Sequence, residues 1–171
     1  MKKRMSLLLL LVALLVSCNG NGNRTAGQHE TYTYTSPLPV AFGDPFLLKA
    51  ADGRFYMYGT SDGINGFKAY SSDNLADWKD EGVIYEGGKE DSWASDCFWA
   101  PEVYERNGKY YMFFSANWKY NPTNESETFR IGVAVADKPV GPFTNLNNEP
   151  LFDPGYPVID ANVYFDDEHN K

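Results

Sequence analysis

The stretch 44-DPFLLKAADGRFYMYGTS-61 decides how this chain folds, because it comes back. Laid over 100-APEVYERNGKYYMFFSA-116, it repeats in order: a short strand, a glycine-containing turn, then a long aromatic strand, with one residue of difference in the turn. A third copy opens at Asp160 as DANVYFDDEHNK, so the openings stand 56 and then 60 residues apart. Between them lie matching second halves. FKAYSSDNLADWKDEGVIYEG, from Phe67, and RIGVAVADKPVGPFTNLNNEPLF, from Arg130, each supply a third strand, a loop and a fourth strand. Four antiparallel strands per repeat at this period is the anatomy of a β-propeller blade.

The pattern of faces agrees. From Pro37 onward no helical period is found, only strands and turns. In RFYMYGT and YYMFFSA both alternating sets are apolar, as expected of a sheet covered on both faces by neighbouring blades. A β-sandwich, the alternative, more often presents one polar face. The expectation is an all-β propeller of which residues 37–171 hold two blades and the first strand of a third. A propeller needs about four blades or more to close, so the chain reads as the N-terminal part of a larger protein.

The ends have other business. Lys2, Lys3 and Arg4 precede an apolar run, Leu7 to Val16, which is too short to span a bilayer and has the proportions of a secretory signal. LVSC, Leu15 to Cys18, resembles a bacterial lipobox, which implies cleavage before Cys18 and lipidation of that cysteine. Plain signal cleavage is the alternative. Residues 1–17 are therefore read as a signal peptide and 18–36, rich in Asn, Gly and Thr, as a flexible tether. The protein is expected to be exported and lipid-anchored to a bacterial membrane, at the outer membrane or cell surface. Cys97 is the only other cysteine, which leaves no intramolecular disulfide if Cys18 carries lipid, and neither belongs to a metal-ligand pattern. His29 and His169 lie near the two ends, so no metal site is expected from this chain. The formal charge is −8, about −11 once the three basic signal residues are gone. That acidity argues against nucleic acid and is compatible with neutral ligands such as sugars.

Asp44, Ala100 and Asp160 occupy one slot, just before the first strand of each repeat. First strands line a propeller's channel, so two acids at blade openings would meet across a shared pocket. Paired carboxylates in that arrangement suit general acid–base cleavage of a glycosidic bond. Taken singly, Asp-Pro is an ordinary turn opener and Asp160 an ordinary strand-opening acid; the shared slot is what favours chemistry.

GDPF (Gly43–Phe46), FWAPEV (Phe98–Val103) and VIDANVY (Val158–Tyr164) resemble successive blade openings of glycoside hydrolase family 43. YSSDNLADW and DKPVGPF resemble that family's loops between strands. The similarity spans Pro37 to Lys171 and implies a five-bladed propeller. It implies an inverting hydrolase of arabinan, arabinoxylan or xylo-oligosaccharides. By motif, Asp44 matches the general base, and Asp160 the carboxylate that orients the general acid and raises its pKa. The acid is a glutamate from a later blade; no residue of this chain matches it, and Glu168, in an expected turn, is no substitute. The fragment alone is expected to be inactive. No cofactor is required; some members hold an axial calcium with a histidine from a later blade.

Three further residues are candidates for sugar binding. Trp99 either stacks on a sugar or plugs the channel. Glu102 either accepts hydrogen bonds from sugar hydroxyls or pairs with a basic residue. Asn162 follows Asp160 by two and is expected to face the same pocket. Trp78, Trp93 and Trp118 are read as blade packing. The rival function is a non-catalytic, sugar-binding propeller lipoprotein.

Overall fold

The computed structural model describes residues 31–34, 36–61, 64–121, 127–166 and 168. The expected signal peptide, Cys18 and the tether through residue 30 lie outside the described residues.

Two four-stranded antiparallel sheets follow one another along the chain. The first contains β1 (Gly43–Lys49), β2 (Phe55–Thr60), β3 (Gly66–Ser72) and β4 (Lys79–Glu86). The second contains β5 (Trp99–Arg106), β6 (Lys109–Asn117), β7 (Phe129–Ala136) and β8 (Thr144–Asn145). In both, spatial order equals sequence order. Each sheet is thus a self-contained meander, as in a blade; no strand crosses from one sheet to the other, as Greek-key connections would require.

The one-residue difference between the repeats sits in the first hairpin. Ala50 pairs with Arg54 around a three-residue turn closed by Gly53 at φ 85°. Arg106 pairs with Lys109 around Asn107 and Gly108, both at positive φ (52° and 72°). The second is the two-residue turn whose twist matches a hairpin, and Asn-Gly is its preferred sequence.

The core lies between the sheets. Tyr56, Tyr58, Phe67, Ala69, Ile84 and Tyr85 of the first blade interlock with Tyr110, Met112, Phe114 and Ala116 of the second, all buried. Phe67 meets Phe114 edge-on at 5.5 Å, and Trp93 stacks on Phe114 at 5.9 Å. Such aromatic pairs add roughly 0.5–1.5 kcal/mol each beyond the area they bury. Backbone and side chain join the same layer: Phe143 N–H donates to Ile84 O at 2.8 Å and Tyr58 OH to Pro139 O at 2.9 Å. The DKPVGPF loop is therefore a clasp from the second blade onto the first. The other apolar set, including Met57, Tyr111 and Phe113, is only half-buried, because a blade face closes only against a neighbouring blade.

Three expectations change in detail. The segment that opens at Asp160, expected to begin the first strand of a third blade, forms no ladder among the described residues, since no described segment runs beside it to pair. It and the residues leading into it are held instead by single contacts: Val158 N–H to Phe129 O (3.1 Å), Asp160 N–H to Ser115 Oγ (2.9 Å) and Val163 N–H to Tyr104 OH (3.3 Å). The fourth strand of the second blade shrinks to Thr144–Asn145, with a lone further bridge between Phe152 and Ile131. Trp93 is a core residue and Trp118 packs against the core, but Trp78 only closes its own loop, its indole N–H donating to Leu75 O.

Candidate active site

β1 and β5 pack beside one another as the inner strands, and each begins with the same irregularity. Gly43 pairs with Thr60 and Phe46 with Tyr58, so Asp44 and Pro45 together face one residue, Gly59. Trp99 pairs with Ser115 and Glu102 with Phe113, so Ala100 and Pro101 face Phe114 alone. These are β-bulges, which bend a strand and re-aim its side chains. The residue at the slot is left-handed every time: φ is 47° at Asp44, 43° at Ala100 and 61° at Asp160. For residues with a Cβ that conformation costs about 1–2 kcal/mol. Strain repeated at equivalent positions marks a position worth testing for function.

The consequence is convergence. Asp44, Pro45, Phe46, Ala100, Pro101, Glu102, Asp160 and Ala161 line one cleft of about 260 Å³. Both acids are exposed and Glu102 is half-buried. Asp44 Oδ2 accepts a hydrogen bond from Thr60 Oγ1 at 2.8 Å, and Thr60 Oγ1 accepts one from Ala100 N–H at 2.9 Å. Glu102 Oε2 accepts from the Tyr104 hydroxyl and, at 3.2 Å, from Asn162 Nδ2. Burial, and then the Glu102 carboxylate, push the Tyr104 phenol above its ordinary value. The cleft thus presents three carboxyl groups from three successive chain openings, two of them at the shared slot.

The loop that delivers Asp160 is pinned from behind. Arg130, fully buried on β7, donates from Nε to Asp153 Oδ1 at 2.6 Å, and Gly155 N–H donates to the same oxygen at 2.9 Å. Gly155 and then Arg130 hold the Asp153 carboxyl below its ordinary value.

The family model for glycosyl hydrolases family 43 matches residues 34–171. The chain belongs to that family. It is 34% identical over 123 residues to xylosidase/arabinosidase 43A of Humicola insolens, a match covering 70% of this chain and 35% of that protein. A thermostable family-43 glycoside hydrolase superposes with a TM-score of 0.67 at 37% identity, over 80% of this chain and 42% of that one. An endo-arabinase from Bacteroides thetaiotaomicron gives 0.65 at 32%, over 80% and 46%. The family-43 chain described here therefore spans about a third to a half of these relatives. Its two meanders are blades of the family's five-bladed propeller.

Of the residues singled out in the family-43 sequence, Asp44, Glu102 and Asp160 come together in the cleft, and Asn162 reaches its edge through Glu102. Trp99 does not line the cleft: its ring packs on Phe129 at 4.4 Å, and the residue is 38% exposed. Glu102 finds a tyrosine and an amide as partners among the described residues, not a basic side chain. No group of three or more His, Cys, Asp or Glu is placed to hold a metal ion among the described residues. Thr60, Ser115 and Arg130 were not anticipated. The two hydroxyls stand at corresponding places in the repeat, which was the available signal.

Proposed function

We propose that this chain is the part of an inverting glycoside hydrolase that carries the water-activating carboxylate, Asp44, and the donor-orienting carboxylate, Asp160. The linkages are α-L-arabinofuranosyl or β-D-xylosyl bonds of plant polysaccharides. One observation carries the reading: two acids with left-handed backbone at the shared slot line the same cleft. The relatives named xylosidase/arabinosidase and endo-arabinase support the substrate class.

In the reaction, water attacks the anomeric carbon from the face opposite the leaving group while Asp44 takes its proton. The glycosidic C–O bond breaks and the departing oxygen receives a proton from a glutamate, which by the resemblance stands on a later blade. Configuration inverts because attack and departure use opposite faces. Asp160 keeps that glutamate protonated, since a neighbouring negative charge disfavours its ionisation. Glu102, held by Tyr104 and Asn162, accepts hydrogen bonds from sugar hydroxyls.

Export and lipid attachment at Cys18 belong to the same proposal, because the polymer is outside the cell and two or more acyl chains anchor stably. In cells, Cys18→Ala is expected to move the protein from the membrane to the soluble fraction; retention in the membrane contradicts the anchor. In the full-length protein, Asp44→Asn is expected to lower turnover by roughly 10²–10⁴-fold. Unchanged turnover would remove Asp44 from the base role. Sugar binding by the parent protein without any hydrolysis would favour the sugar-capture reading.

A further inference from the structure

The second strand of each blade carries a hydroxyl at the residue paired with the one just before the slot: Thr60 on β2, opposite Gly43, and Ser115 on β6, opposite Trp99. Each accepts a hydrogen bond from the backbone N–H of the residue that opens the following blade. Ala100 N–H donates to Thr60 Oγ1 at 2.9 Å, and Asp160 N–H donates to Ser115 Oγ at 2.9 Å. Thr60 also acts within its own blade, where its hydroxyl hydrogen goes to Asp44 Oδ2 at 2.8 Å. A hydroxyl has one hydrogen to give, so the Ala100 amide and the Asp44 carboxylate together fix its direction. In the second blade the slot holds alanine, Ala100, in place of an acid, and Ser115 is fully buried.

We infer that Thr60 and Ser115 are positioning residues: Thr60 locks the carboxylate of Asp44, and Ser115 locks the backbone of Asp160, each tying one blade to the opening of the next. The inference rests on the reading of Asp44 as the base. A base must present one oxygen to water in a fixed direction. With Oδ2 engaged by Thr60, Oδ1 is the oxygen presented. The left-handed backbone at both acids is a strained conformation, and it is the amide of the second, Asp160, that Ser115 holds.

The test is steady-state kinetics of the full-length protein on aryl α-L-arabinofuranoside and aryl β-D-xylopyranoside. Thr60→Val keeps the shape and removes the hydroxyl; it is expected to lower kcat about tenfold or more while KM stays within about twofold. Thr60→Ser returns the hydroxyl and is expected to restore kcat to within about twofold of the parent. Ser115→Ala is expected to lower kcat in the same way. Thr60→Ala is measured alongside, so that one misfolded variant does not decide the outcome. Parent-like kcat in the valine or alanine variant overturns the inference, and so does a loss that serine fails to rescue. Asp44→Asn separates the two readings. If it abolishes turnover while Thr60→Val does not, only the lock is wrong; if it turns over normally, the base is wrong and the lock falls with it.

Discussion

In the proposed mechanism Asp160 acts through the proton donor of a later blade. If its charge keeps the proton donor protonated, Asp160→Asn should lower kcat and shift the alkaline limb of the pH–rate profile toward lower pH, because the donor then ionises earlier. An unmoved limb would assign Asp160 some other part. Tyr104→Phe removes the hydroxyl that steadies Glu102. Losing one hydrogen bond of about 1 kcal/mol should raise KM roughly fivefold with little change in kcat; a fall in kcat alone would contradict sugar binding by Glu102. Both slot acids were legible in the sequence because the repeat put them in one register. Thr60 was not, since a hydroxyl at a strand end is ordinary until its partners are seen. Nor was the orientation of Trp99, because its stacking partner, Phe129, lies 30 residues away.

At the scale of the elements, the blades were readable down to the hairpin, where Ala51-Asp52-Gly53 against Asn107-Gly108 accounts for the single-residue difference. What sequence could not give was pairing that depends on a neighbour: the short β8 and the unpaired segment after Val158. Packing between blades was equally hidden. Gly132 sits mid-strand in β7 because a Cβ there would lie 2.2 Å from Trp93 Cζ2 and 3.0 Å from Phe114 Cζ. Both rings belong to the stacked pair at the centre of the core, so neither yields freely. Gly132→Ala should destabilise the fold by about 1–3 kcal/mol, read from the midpoint of denaturant unfolding at unchanged slope. A midpoint equal to the parent's would mean that the Trp93–Phe114 stack is not closed.

For the molecule as a whole, the paired carboxylates set the response to acid. Asp52 (held by Tyr56), Asp80 (by Lys68), Glu81 (by Ser71, then Lys79) and Asp153 all sit below their ordinary values of 3.8 for Asp and 4.5 for Glu. The unfolded chain therefore binds more protons than the folded one in that region, so the contribution of these pairs is full above about pH 5, begins to fall as pH drops toward about 4, and is lost as pH falls on through the depressed folded values. Thermal melts across pH 3–7 should show Tm dropping only on the acid side; a flat profile would mean that these pairs do not survive in solution. The central claim is about place, that Asp44 and Asp160 face a common sugar site. Its most direct measurement is a crystal structure of the full-length Asp44→Asn protein soaked with an arabino- or xylo-oligosaccharide. The account predicts a pentose ring in the cleft between residues 44 and 160, with the anomeric carbon within reach of residue 44 through one water. A sugar bound elsewhere, with that cleft left to solvent, would contradict it.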